Sequence, residues 1–154
     1  MRIVKRYNNL ELIIEEELIN RLATIGKKHF PNEFGGFLIG RYSESLEALF
    51  IEDFILPKKY KGYSSIFERS TDGVVEEFEN AFLEKNQYYV GEWHTHPSSS
   101  TKYSQTDLMA MIQIAECQTV QIKNPVLLIL SVTSQELNDY SFYYYDSKNL
   151  ILYD

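Results

Sequence analysis

The sequence predicts a mixed α/β or α+β domain, in which a mixed β-sheet is packed by helices. Helical and strand-like segments follow one another in the order helix, strands, helix, strand, helix, strands. Tyrosine and phenylalanine, which favour strands, are abundant at 12 and 9 residues. The chain of 154 residues is long enough for a full hydrophobic core, and no linker or repeat divides it. We therefore expect a single domain over residues 1–154.

The first half of the chain is predicted to begin with a helix and to continue with two strands. Residues 11–29 carry apolar side chains at helical spacing, with glutamates toward the start and lysines toward the end, an order that suits the helix dipole. Pro31 ends this helix. A strand over residues 33–40 is entered through a pair of glycines, and a second strand covers residues 46–56.

The second half is predicted to contain a loop, two helices and four strands. Residues 57–73 are basic and polar, which is typical of a loop, and this loop has room for a short strand. The helices are expected at residues 73–86 and 104–117, and the strands at residues 88–96, 125–133, 140–146 and 149–153.

Composition and charge argue against several classes of protein. The net charge of −7 is unlike that of a nucleic-acid-binding protein, which normally has a basic face, although it leaves a basic protein partner possible. No apolar run approaches the ~20 residues that cross a bilayer, and the N-terminus is a poor signal peptide. The one cysteine, Cys117, excludes an internal disulfide and a cysteine-based zinc knuckle. We expect a soluble cytoplasmic protein.

Two of the three histidines form the segment His94-Thr95-His96, at the end of a predicted strand that Pro97 closes. Residues i and i+2 of a strand point to the same face, roughly 7 Å apart along the chain, so two imidazoles can converge on one ion. Trp93 and Thr95 alternate with the histidines and should point away from that ion. Glu92 shares the histidines' face, where we expect it to be a structural neighbour.

A carboxylate completes the predicted metal site. Asp107 lies in the first turn of the next helix, and a short connecting loop could bring it over the histidine pair. Three protein ligands leave the fourth zinc position open to water, as in catalytic zinc sites. Zinc lowers the pKa of such water from ~15.7 to ~7, and Glu33 is the candidate that takes its proton. Ser104 could donate to the developing oxyanion.

Each of these residues also has an ordinary structural interpretation. Ser104 and Asp107 are three residues apart at a helix start, so they could form only an N-cap worth ~1 kcal/mol. The two histidines could be plain strand residues, and Glu33 a loop carboxylate. Their occurrence together at this spacing favours the catalytic interpretation.

The combined pattern resembles the JAMM motif of the JAB/MPN metalloprotease family, and no position of that motif is missing. Its members are Glu33, His94-Thr95-His96-Pro97 and, after seven intervening residues counted from His96, Ser104-x-x-Asp107. The segments 33–40 and 91–93 are also similar to the family's first strand and to its bacterial branch. The resemblance covers residues 10–150. It implies an MPN/JAB fold with a curved mixed sheet flanked by helices, in a cytidine-deaminase-like architecture.

The resemblance also implies an activity and a set of roles. One catalytic zinc would be held by His94, His96 and Asp107, with Glu33 as general base and Ser104 stabilising the oxyanion. The implied reaction is hydrolysis of an isopeptide or peptide bond at the extended tail of a ubiquitin-like or similarly conjugated protein. Bacterial proteins of this type stand in antiphage operons, beside a cyclic-nucleotide synthase (CBASS) or a ubiquitin-like protein (Bil). The sequence does not choose between the two operon types.

Several alternatives remain open. The chain could be a zinc peptidase that trims the precursor tail of a ubiquitin-like or sulfur-carrier protein, or a non-catalytic MPN scaffold, although scaffold members usually lose metal ligands. A zinc deaminase would need a Pro-Cys-x-x-Cys pair, which is absent. Residues 57–73 are either a solvated surface loop or the insertion with which family members grip the distal protein. Lys58, Lys59, Lys61 and Arg69 would then meet an acidic partner.

Overall fold

A computed structural model describes residues 1–154 and contains ten strands and three helices. The strands are β1 (Arg2–Tyr7), β2 (Leu10–Glu15), β3 (Gly35–Tyr42), β4 (Ala48–Ile55), β5 (Tyr60–Gly62), β6 (Phe67–Arg69), β7 (Tyr88–Pro97), β8 (Val126–Val132), β9 (Leu137–Asp146) and β10 (Asn149–Leu152). The helices are α1 (Glu16–His29), α2 (Val75–Lys85) and α3 (Gln105–Glu116). None of the three helices could serve as a membrane span.

Eight strands form one mixed sheet in the order β1-β2-β4-β3-β7-β8-β9-β10. The pairs β2/β4 and β7/β8 are parallel, and the other pairs are antiparallel. The two ends of the sheet meet, because the backbone groups of Arg6 and Asp154 exchange two hydrogen bonds of 2.8 Å. The sheet is therefore curved and nearly closed, which confirms the predicted curved mixed sheet. Strands β5 and β6 form a separate antiparallel hairpin.

Helix α1 packs against one face of the sheet and builds the main core there. Leu18, Ile19 and Leu22 belong to a cluster of 17 buried side chains that includes Trp93 from β7 and Leu128 from β8. Glutamates at the start of α1 and basic residues at its end complement the helix dipole. Removing this apolar area from water is the main source of stability for the fold.

Helices α2 and α3 cover the opposite face and leave a gap between them. Met111 of α3 packs on Leu127 and Ile129 of β8. Phe78 of α2 packs on a smaller cluster that includes Phe37 of β3. No residue of α2 is fully buried, so this helix forms a wall beside the sheet and is not part of the central core.

The prediction of one helix over residues 11–29 is wrong at its N-terminal end. Residues Leu10–Glu15 form β2, and Arg2–Tyr7 form a strand that was not predicted. Strand β2 pairs with β1 on one side and with β4 on the other, and its side chains at Leu12 and Ile14 are buried in alternation. A short apolar run is compatible with both the helical and the strand spacing of side chains. Here the pairing with two neighbouring strands favours the strand.

The other predicted elements agree with the structure to within a few residues at their ends. Residues 57–73 contain the short hairpin of β5 and β6, which confirms that this loop includes strand structure. The strand predicted at residues 33–40 is β3, which begins at the glycine pair and lies between β4 and β7.

Candidate active site

Strand β7 holds both predicted histidine ligands on one face of the sheet. His94 lines the gap between α2 and α3, and His96 lies beside it on the same face. Trp93 and Thr95 point toward α1, as alternation predicts. The Thr95 hydroxyl accepts a hydrogen bond of 3.1 Å from the backbone N–H of Phe34. This bond joins the histidine strand to the residue next to Glu33.

The entry to β3 brings Glu33 beside the histidines. Gly35 lies opposite His94 in the antiparallel register between β3 and β7. A Cβ atom at Gly35 would collide with the carbonyl oxygen of Trp93 and would lie 2.7 Å from Cβ of His94. The absence of a side chain at this position is therefore what lets the two strands approach where the histidines stand.

The start of α3 supplies Asp107. The Ser104 hydroxyl accepts from the Asp107 N–H at 3.1 Å, and Asp107 Oδ2 accepts from the Ser104 N–H at 2.8 Å, which forms a capping box. The structure thus confirms that Ser104 and Asp107 form an N-cap. The cap also orients the Asp107 carboxylate toward β7, so the structural role and the proposed ligand role use the same geometry.

The side chains of the three predicted metal ligands converge at this point. His94 Nε2 lies 3.3 Å from His96 Nε2 and 3.1 Å from Asp107 Oδ1, and His96 Nε2 lies 3.2 Å from Asp107 Oδ2. A carboxylate oxygen of Glu33 and the two imidazole nitrogens all lie within 4.8 Å of one another. All four side chains are largely buried. The structure therefore brings together the four residues that the sequence proposed for metal binding and for the base.

The chemistry of these atoms fits a bound cation. His96 Nδ1 lies 2.8 Å from the carbonyl oxygen of Ser100, to which its N–H donates in the neutral tautomer. Nε2 of His96 then presents a lone pair toward the Asp107 carboxylate and toward His94. Such an arrangement of acceptors is repulsive unless a proton or a metal ion lies between them. The separations of 3.1–3.3 Å match the ~3.3 Å edge of a tetrahedron with metal–nitrogen bonds of ~2.05 Å.

The pKa values of the cluster reflect the same crowding. Burial raises the pKa of Glu33, and the nearby His94 and His96 only partly oppose this effect. Burial would also raise the pKa of Asp107, but the adjacent His94 and His96 and the Ser104 N–H hold it well below its usual range. Burial lowers the pKa of His96, but Asp107, the Ser100 carbonyl and Glu33 together outweigh that effect, so the net shift is upward. Each carboxylate is thus tied to the charge state of the imidazoles.

A cleft of about 1020 Å³ opens beside the cluster, between the hairpin and α2 on one side and α3 on the other. Glu33, His94 and Asp107 contribute to its lining, together with a larger number of apolar side chains. Its apolar members include Phe37, Phe78, Phe82, Met111, Ile114, Val120 and Leu127. A cleft of this kind can hold an extended peptide segment with one end at the polar cluster.

Sequence reasoning missed a largely buried ion pair in the wall of this cleft. Arg69 Nε donates to Glu92 Oε1 at 2.8 Å, and the Tyr89 hydroxyl donates to Glu92 Oε2 at 2.5 Å. The expectation that Arg69 would meet an acidic partner is therefore corrected, because its partner is Glu92 within the chain. Burial raises the pKa of Tyr89 well above its usual range, so the phenol stays protonated and can donate. The sequence feature that could have revealed this pair is Glu92, because a carboxylate on the buried histidine face requires a cationic partner.

The sequence profile of the prokaryotic homologs of the JAB domain matches residues 15–143. The chain is 34% identical over 120 residues to a protein of Enterobacter hormaechei subsp. hoffmannii that is called a CD-NTase/cGAS isopeptidase. That match covers 77% of this chain and 66% of the relative, slightly less than two thirds of its length.

The fold is also similar to a solved structure. The solution structure of a protein from Desulfitobacterium hafniense matches with a TM-score of 0.70, covering 90% of this chain and 87% of the other. The two sequences are 14% identical, so the likeness concerns the fold alone.

Proposed function

The chain belongs to the prokaryotic homologs of the JAB domain, and from that premise we propose that it is a zinc-dependent isopeptidase of the JAMM type. It would cleave a protein that is joined through its C-terminal carboxyl group to an amine of a target. The observation that carries the proposal is the convergence of His94, His96 and Asp107 at 3.1–3.3 Å with Glu33 alongside. The resemblance to the bacterial branch motivates a role in antiphage defence.

In this proposal His94, His96 and Asp107 hold one zinc ion. When bound there, zinc supplies a Lewis acid that makes a water molecule acidic enough to be deprotonated near neutral pH. Two imidazoles and one carboxylate leave a fourth position open, which is the pattern of catalytic zinc sites. The Ser100 carbonyl supports this role because it accepts from His96 Nδ1 and leaves Nε2 free to bind the metal.

Glu33 is proposed as the general base. Its carboxylate lies within 4.8 Å of the imidazole nitrogens of both histidines, so it would reach a water molecule held beside them. Glu33 takes the proton from that water as it attacks the carbonyl carbon, and it later gives the proton to the leaving amine. Its burial in a cleft of limited polarity favours the transfer, since burial raises its pKa toward that of a useful base.

Ser104 is proposed as the oxyanion donor. Its hydroxyl oxygen accepts from the Asp107 N–H, which leaves the hydroxyl hydrogen free to donate. The residue is exposed, so a substrate carbonyl can reach it. A hydrogen bond that strengthens as negative charge develops on that oxygen lowers the barrier more than it strengthens substrate binding.

The proposed substrate is a protein tail that enters the cleft in an extended form. The apolar lining on α2 and α3 suits aliphatic side chains of such a tail, and the polar cluster lies where its last bond would be cut. The name of the Enterobacter relative motivates a specific candidate, a CD-NTase conjugated through its C-terminus to a lysine side chain.

The test is cleavage of such a conjugate by the purified protein. We expect the wild-type chain to release the CD-NTase from the lysine. Glu33→Gln should lower kcat by about 100-fold or more, because general base catalysis is lost. The matched control is Glu136→Gln, which changes an exposed carboxylate outside the lining of the cleft and should retain near wild-type activity.

The same assay distinguishes the alternatives. A linear fusion with a peptide bond after the same tail tests the precursor-trimming activity. Preferential cleavage of the fusion, with the lysine conjugate left intact, would replace the isopeptidase proposal with the trimming one. Full activity of Glu33→Gln would remove Glu33 from its proposed role. Absence of cleavage and of bound zinc would favour a scaffold.

A further inference from the structure

The hairpin of β5 and β6 (residues 60–69) contacts the backbone of Glu33 directly. The carbonyl oxygen of Tyr63 accepts a hydrogen bond of 2.7 Å from the Glu33 N–H. The Cα of Gly62 lies so close to the Glu33 carbonyl that an added Cβ would collide with it. Phe67 also packs edge to face on Phe34, with ring centroids 5.6 Å apart. The residue proposed as the base is thus held by a segment outside the main sheet.

The other end of the same hairpin is attached to the histidine strand. Arg69 closes β6, and its ion pair with Glu92 joins it to β7 two residues before His94. The guanidinium also stacks over the ring of Phe37 at 4.8 Å. Glu92 is 8% exposed, so its two carboxylate oxygens find their partners in Arg69 and Tyr89. The hairpin therefore spans from the proposed base to the proposed metal ligands.

This attachment is the one ion pair of the hairpin whose two side chains are both largely shielded from solvent. Its own sheet has two strands of three residues each, and a hairpin of that size is marginally stable alone. Lys59, just before the hairpin, reaches the exposed Asp72 at 3.8 Å, and an exposed pair of that kind contributes little. A buried bond between a guanidinium and a carboxylate is much harder to replace.

We propose that Arg69 and Glu92 are positioning residues that hold the hairpin in place so that Tyr63 keeps Glu33 aligned with the metal site. This inference rests on the proposed role of Glu33 as the base. Neither residue touches the reacting atoms. Loss of the ion pair frees the hairpin, and the hydrogen bond from the Glu33 N–H to the Tyr63 carbonyl then opens more often.

Hydrogen exchange in the metal-free protein tests the structural part. We expect Arg69→Met to raise the exchange rate of the Glu33 amide by about tenfold or more, because exchange follows local opening. The matched control is Arg41→Met. Arg41 also bonds a glutamate, Glu52 at 3.2 Å, and stacks on a ring, Phe50 at 4.7 Å, but it does not contact the hairpin. That control should leave the Glu33 amide unchanged.

Steady-state kinetics of the zinc-loaded protein tests the catalytic part. Arg69→Met should lower kcat by about 10–100-fold, since small misplacement of a catalytic group costs that much, while zinc stoichiometry stays at the wild-type level. In the Glu33→Gln background the same change should have no further effect, because Arg69 acts through Glu33. Full additivity of the two changes would overturn the proposal, and so would an unchanged Glu33 exchange rate.

Two further outcomes keep the test decisive. If Arg69→Met does not fold, Tyr89→Phe removes only one hydrogen bond to Glu92, and the same rise in Glu33 exchange is expected on a smaller scale. If the wild-type chain cuts no conjugate, the proposed function fails. The exchange experiment still decides whether the ion pair holds Glu33, so the two failures are distinguishable.

Discussion

The Nε2 atoms of His94 and His96 lie 3.3 Å apart, and both lie within 3.2 Å of the Asp107 carboxylate. The strand brings the first two together, and the cap of α3 adds the third. This relationship supports the proposed zinc site. The contribution of each side chain to zinc affinity can be measured without a substrate.

Metal binding is expected to depend on Asp107. Purified protein should contain equimolar zinc by elemental analysis, and Asp107→Asn should lose most of it because a neutral amide is a weak ligand. Zinc at a hundred times its Kd should stabilise the wild-type fold by about 2.7 kcal/mol, and the variant by far less. Asp72→Asn, a change at an exposed carboxylate, serves as the control. Undiminished zinc in Asp107→Asn would contradict the assignment.

Substitution of Ser104 should separate its two roles. Ser104→Gly keeps most of the helix start, because glycine as an N-cap costs only about 0.3 kcal/mol. It removes the hydroxyl, so kcat should fall by about 10–1000-fold with little change in KM. Ser104→Thr retains the hydroxyl and should retain activity. An active Ser104→Gly protein would limit Ser104 to the capping role.

Gly35 is expected to control the approach of β3 to the histidine strand. Gly35→Ala should lower both the melting temperature and the affinity for zinc, because its methyl group would meet the Trp93 carbonyl and Cβ of His94. Gly40→Ala is the matched control on the same strand. A methyl group there meets the Phe50 carbonyl away from the histidines, so stability should fall and zinc affinity should not. Calorimetry of zinc binding to both variants decides the matter.

High pH should destabilise the protein through Tyr42. Burial raises the pKa of this phenol to about 12, above its unfolded value of about 10. The stability that it contributes is complete below the unfolded pKa and is lost as the pH rises through the folded one, by an amount on the order of 2 kcal/mol. Tyr42→Phe should therefore weaken the pH dependence of unfolding above about pH 10. An unchanged dependence, measured by urea unfolding, would contradict this.

Much of the site could be predicted because it rests on local rules. Alternation along β7 places His94 and His96 on one face and Trp93 on the other without any knowledge of the fold. Ser104 and Asp107 are three residues apart at a helix start, which predicts their mutual hydrogen bonds. The start of α1 was predicted wrongly for the opposite reason. Whether Leu10–Glu15 is strand or helix depends on its pairing with β1 and β4.

The identities of the candidate ligands, the base and the family resemblance were determined by the sequence alone, since they depend on residue type and short spacing. The order of strands was decided only by the tertiary structure. That order sets β3 beside β7, brings Glu33 to the histidines and pairs Arg69 with Glu92. Such contacts join residues far apart in the chain, and packing of the whole sheet selects them, so no local pattern records them.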